Sequence, residues 1–81
     1  MSKYNVANCE EIADIALHVS KPMTFRELAD KLGYSSPHSV APRISAAHDY
    51  YLYELGDEVT ATAITYAFIS EVDDVGYGRQ P

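Results

Sequence analysis

Residues 24–44, TFRELADKLGYSSPHSVAPRI, carry the start and stop signals of two short helices joined by a tight turn. Thr24 with Glu27 three residues on is a capping box: the hydroxyl takes a free first-turn amide and the glutamate reaches back. Phe25, Leu28, Ala29 and Leu32 fall at i, i+3, i+4 and i+7, one apolar stripe on a helix. Gly33 stands where a left-handed C-terminal cap is wanted. Ser36 followed by Pro37 opens the next helix, an N-cap oxygen with proline at the first helical position. That helix is expected over residues 37–48, with Val40, Ile44 and Ala47 on its buried side. Helix, glycine turn, helix is the order of a helix-turn-helix.

Before this pair, residues 1–8 are polar and read as frayed. Asn8 with Glu11 repeats the capping-box pattern, and Glu10, Glu11 and Asp14 place negative charge at a helix start. Ile12, Ile15, Ala16 and Val19 form the buried stripe of a first helix ending near Ser20, before the stop signal Lys21-Pro22. Met23 is placed to pack just ahead of the Thr24 cap.

After the pair, Tyr50, Tyr51, Leu52, Tyr53, Glu54 and Leu55 are aromatic-rich and alternating, and Gly56-Asp57 marks a turn. Residues 58–68 are rich in β-branched and aromatic side chains, which favours a second strand. A rival reading makes the chain after Thr60 a fourth helix, because Ala61, Ile64, Phe68 and Val72 also lie at helical spacing. Strand is favoured for at least the first half. Residues 71–81 are acidic and then glycine-rich and read as a flexible tail, so residues 1–70 form the domain.

The run T-x-x-E-L-A-x-K-L-G-Y-x-S-P, from Thr24 to Pro37, resembles the winged helix-turn-helix of LexA and related prokaryotic or phage regulators. The resemblance covers the middle third of the chain. It implies an α+β domain with three helices and a C-terminal two-stranded β-hairpin, the wing, followed here by the acidic tail. It also implies a DNA-binding transcription regulator whose second motif helix enters the major groove. Ser36, His38, Ser39 and Ala41 match the positions that approach bases or backbone. Pro42 departs from the family pattern, since a proline there removes a helical hydrogen bond and kinks the helix. Such a kink either tilts the helix in the groove or takes its face off DNA. The turn Gly56-Asp57-Glu58 also departs, because family wings that grip the minor groove commonly carry a basic residue.

Charge gives partial support. The 81 residues carry a formal net charge of −6, which disfavours phosphate as a partner. Its distribution is uneven. Lys21, Arg26, Lys31 and Arg43 against Glu27 and Asp30 make residues 21–48 the only net positive part. Asp49, Glu54, Asp57, Glu58, Glu71, Asp73 and Asp74 against Arg79 leave residues 49–81 strongly acidic. The candidate DNA-binding set is therefore Lys21, Arg26, Lys31, Ser35, Ser36, His38, Ser39 and Arg43. Arg26 and Lys31 are expected on the phosphate backbone, and Arg43 on a guanine edge or a phosphate.

Tyr50, Tyr51 and Tyr53 cannot all face inward from one strand, which makes them the candidate homodimer or partner surface. A second function class stays open: a phage-type inhibitor or antirepressor on the same scaffold, its acidic wing and tail docking on a basic host protein. No enzyme is expected, since there is no phosphate-binding glycine loop, nucleophile elbow or zinc-protease motif. No cofactor or metal is expected either, with one cysteine, Cys9, and the histidines His18, His38 and His48 far apart. The lone cysteine, the lack of a membrane-length apolar run and the polar first residues fit a cytoplasmic protein in a bacterial cell.

Overall fold

Asn5, not Asn8, starts the first helix. Its side-chain oxygen accepts the Asn8 amide at 3.1 Å, and α1 runs over Val6–His18. Asn8 lies inside the helix instead of capping it, and the earlier start places Val6 half-buried and Cys9 in the core. Residues 6–8, expected to fray, are thus helical. In this computed structural model residues 3–70 are described; the proposed tail, residues 71–81, lies outside them.

Beyond α1, the chain forms β1 (Met23–Thr24), α2 (Phe25–Leu32), a single 3-10 turn (Pro37–Ser39), α3 (Ala41–Asp49), α4 (Glu58–Ala67) and β2 (Phe68–Ile69). The result is a small α+β domain, mostly helical. The capping box at Thr24 is complete: Glu27 N–H donates to Thr24 Oγ1 at 3.1 Å, and Thr24 N–H donates to Glu27 Oε1 at 2.9 Å. α2 closes on Gly33 at φ 83°, a left-handed conformation in which a side chain is strained. Tyr34 N–H then returns to the Ala29 carbonyl at 2.8 Å.

The expected continuous helix over residues 37–48 is divided. Ser36 Oγ accepts the His38 amide and caps only the 3-10 turn, after which α3 starts afresh at Ala41. Pro42 explains the break. Its ring would clash with the carbonyl four residues back in a continued α-helix, whereas in the first turn of a new helix its missing N–H is not needed. The predicted kink is therefore absent, because the helix begins around the proline rather than bending at it.

The hairpin is also absent. Tyr50–Glu54 is a π-helical turn that continues from α3, with Leu55 N–H donating to the Tyr50 carbonyl at 3.2 Å. Gly56 at φ 65° ends it, and Asp57 caps α4. Residues 58–67 are helical, as the rival reading has it, but the helix ends before Phe68, which lies in β2, and Val72 is outside the described residues. A cap and a buried stripe override β propensity. The Asp57 carboxylate takes both the Thr60 amide (3.0 Å) and the Thr60 hydroxyl (2.7 Å), and Ala61, Ile64 and Ala67 are buried against the core. The strand that does form, β2, pairs in parallel with β1, Met23 opposite Phe68 and Thr24 opposite Ile69. It ties the end of α4 to the start of α2.

The core lies where α1, α2, α3 and α4 meet, with Ile12, Leu28, Val40, Ala47 and Ile64 fully buried. Cys9 joins them, and burial, with the Glu10 carboxylate adding to it, pushes its thiol pKa up, as for a packing residue rather than a reactive one.

The Asp57 cap carries a pH signature. Its two bonds to Thr60 hold the carboxyl below its usual value of 3.8. A depressed folded pKa contributes stability that is present above the unfolded value and is lost as pH falls through the folded one. Asp57→Asn keeps an acceptor but not the charge. Thermal melts followed by circular dichroism should show the wild type losing more stability than Asp57→Asn between about pH 5 and about pH 2.5. Parallel losses would mean that the cap does not titrate as assigned.

Candidate nucleic-acid interface

The turn between α2 and α3 is built on Tyr34. Gly33 sets its direction, and its ring is half-buried beside the core. The Tyr34 hydroxyl accepts Arg43 Nε at 2.8 Å from α3 and Asn8 Nδ2 at 3.4 Å from α1. The Arg43 guanidinium carbon lies 4.6 Å from the Tyr34 ring centroid, and Nη1 donates to the Ser39 carbonyl at 3.2 Å. Three segments are thereby fixed to one phenol. Neither Tyr34 nor Asn8 stood out as a site residue. The only sequence signal was the aromatic after the turn glycine, and nothing in the spacing paired it with Arg43.

The remaining candidates fall into three places. Arg26 and Lys31 are exposed near the two ends of α2, about 7 Å apart along its axis. Ser35 and His38 are exposed on the turn, with Ala41, Pro42 and Ser45 continuing that outward surface along α3. Ser36 and Ser39 are half-buried: the Ser36 hydroxyl serves as a cap, and the Ser39 carbonyl holds Arg43. Lys21 is not part of this cluster. It precedes β1, at the far end of α2 from Lys31, and lines a groove with Ala63 and Tyr66.

The tyrosines divide differently from the expected sheet face. Tyr50 and Tyr51 are half-buried against the core, their ring centroids 5.3 Å apart and edge to face, and Tyr4 packs on Tyr50 at 5.7 Å. Burial, with the Glu10 carboxylate adding to it, pushes the Tyr51 hydroxyl pKa up. Tyr53 alone of the three is exposed, at 73%. The π turn causes this split, because it winds three tyrosines around a helical surface instead of alternating them across a sheet.

Elsewhere, His48 Nδ1 lies 3.0 Å from Asp49 Oδ1 in a groove between α3 and α4 that also holds Ser45 and Thr65. No group of three or more His, Cys, Asp or Glu side chains placed to hold a metal is found among the described residues. No helix among them is long and apolar enough to cross a membrane. Set against protein-family models, curated proteins and solved structures, the chain matches none.

Proposed function

We propose that this domain binds double-stranded DNA in a small prokaryotic or phage regulator of the helix-turn-helix kind, acting in the bacterial cytoplasm. α2 lies over the phosphate backbone, and the 3-10 turn with the start of α3 faces the major groove. One observation carries this reading. The capped helix pair around the left-handed Gly33 has the order of a helix-turn-helix, and it coincides with the only net positive part of the chain. Arg26 and Lys31 hold phosphates, while Ser35 and His38 present small polar groups toward base edges. Tyr34 presents Arg43 at a fixed angle. The wing is replaced by α4, so minor-groove contacts are not part of the proposal.

A second reading follows from a specific observation. The outward surface of the turn and α3 carries Ser35, His38, Ala41, Pro42 and Ser45, whereas Arg43 is half-buried and already bonded. Together with the acidic residues 49–81, this favours a protein-binding module that docks on a basic, nucleic-acid-binding surface of a host protein.

Titration of the full chain against fluorescent duplex DNA at about 20 mM and about 150 mM salt separates the two readings. If Arg26, Lys31 and Arg43 displace counterions, the logarithm of affinity should fall with the logarithm of salt at a slope of about −3 per protomer. Absence of binding at the lower salt would remove the DNA reading and direct the search to basic protein partners.

A further inference from the structure

The sequence has six lysines and arginines, and their placement decides what the acidic end of the chain can meet. Lys3 stands over the Tyr4 ring at 5.4 Å, Arg43 is bonded to Tyr34 and the Ser39 carbonyl, and Arg79 belongs to the acidic end itself. The other three, Lys21, Arg26 and Lys31, are exposed and lie on α2 or just ahead of β1. Glu27 turns its carboxylate back onto the Thr24 N–H and hydroxyl, which leaves Asp30 as the one acid of α2 outside the cap. The outer surface around α2 is therefore weakly positive.

β2 fixes where the acidic end begins. Ile69 pairs with Thr24, so the chain leaves the sheet about 5 Å from the residue that caps α2. The pairing is parallel, so the chain heads out on the side where α2 begins. Glu71, Asp73 and Asp74 follow two, four and five residues after Ile69. At about 3.3 Å per extended residue they reach roughly 7 to 17 Å, and α2 with its 8 residues is about 12 Å long. Arg26, two residues past Thr24, and Lys31, near the other end of α2, both fall within that span.

We propose that the acidic run at residues 71–74 lies on the surface around Arg26 and Lys31 and holds the place of a phosphate there. Two arguments select this segment as the occupant. It is tethered within a few residues of the surface, which gives it an effective concentration in the millimolar range against any outside acid. It also carries three carboxylates in four residues, opposite in sign to the exposed cations beside its starting point. The contact stands without the DNA reading. Its consequence rests on that reading: the segment competes with duplex DNA for α2, and a face covered half to nine-tenths of the time loses about 2- to 10-fold in apparent affinity.

A spin label on Val75→Cys in the full chain tests the contact without DNA, since Cys9 is buried. The label should broaden the Arg26 and Lys31 amide signals at about 20 mM salt, and the broadening should fall at about 500 mM, where the screening length is roughly 4 Å. It should fall as well when Glu71→Gln, Asp73→Asn and Asp74→Asn are combined in the labelled chain. Broadening that neither salt nor neutralisation changes comes from the tether alone and would overturn the proposal, as would its absence. Without the label, the same three substitutions should tighten binding to duplex DNA by about 2- to 10-fold. Glu10→Gln, Glu11→Gln and Glu54→Gln remove as much charge from other exposed positions and should tighten it less. Equal gains from the two triple variants would overturn the competition, because net charge alone then accounts for both. If neither they nor the wild type bind DNA, the DNA reading falls and the label decides.

Discussion

Leu28→Ala is expected to remove about 3 kcal/mol of stability, the largest loss from any single truncation in α2. Leu28 is fully buried and belongs to the same cluster as Ile12, Val40, Ala47 and Ile64. Truncation removes three carbons, worth about 2.4 kcal/mol at about 0.8 per buried carbon, and the surrounding helices recover only part of the cavity. A domain of this size has a total stability of roughly 4–12 kcal/mol, so the loss is between about a quarter and about three quarters of the whole. Leu17 is the internal control. It is the same residue type on α1 but 53% exposed, and Leu17→Ala should cost at most about 0.5 kcal/mol. Urea melts of both variants, read by circular dichroism, make the comparison. Equal small losses would mean that α2 is not packed through Leu28, and the position of the whole helix pair would be in doubt.

That buried leucine was legible in the sequence, and the reason is locality. The capping box at Thr24 and Glu27, the left-handed Gly33 and the Ser36 cap all close within four or five residues, so their signals survive without knowledge of the rest of the chain. The same locality misled the reading of residues 50–68. Tyrosine, valine and threonine there favour strand, and Gly56-Asp57 resembles a hairpin tip as much as a helix stop followed by a helix start. What decides the matter is tertiary. Ala61, Ile64 and Ala67 lie buried as a stripe, with Ile64 in the core beside Ile12 and Leu28, a burial that outweighs the modest propensity of exposed Val59 and Thr62. The parallel pairing of Met23 with Phe68 was beyond reach for a similar reason. Two residues on each side leave no periodicity to read. The candidate site shows the same division: its residues could be named by type and helix, whereas the partnership of Tyr34 with Arg43 depends on how α3 packs over the turn.

Under the DNA-binding proposal, that partnership makes Arg43→Ala the substitution with the largest effect on affinity. Loss of a positioned guanidinium costs about 1–3 kcal/mol, which is roughly 5- to 150-fold in dissociation constant. Arg43→Lys keeps the charge but loses the planar fork that donates to both Tyr34 and the Ser39 carbonyl. It should preserve the salt dependence while weakening binding. Tyr34→Phe is the more informative partner. It retains the ring under the guanidinium and deletes the acceptor shared by Arg43 and Asn8. The lost bond has a charged donor, worth about 1.5–3 kcal/mol of folding stability, and the freed side chain then samples more rotamers before it meets DNA. Tyr34→Phe should therefore weaken binding by less than Arg43→Ala, with the salt slope unchanged, and the two effects should not add when combined. If Arg43 serves only to hold α3 against the turn, all three variants will lose stability and bind DNA as the wild type does. The combination of affinity, salt slope and melting midpoint on one set of proteins thus separates a side chain that is held in place for a ligand from one that is held in place for the fold.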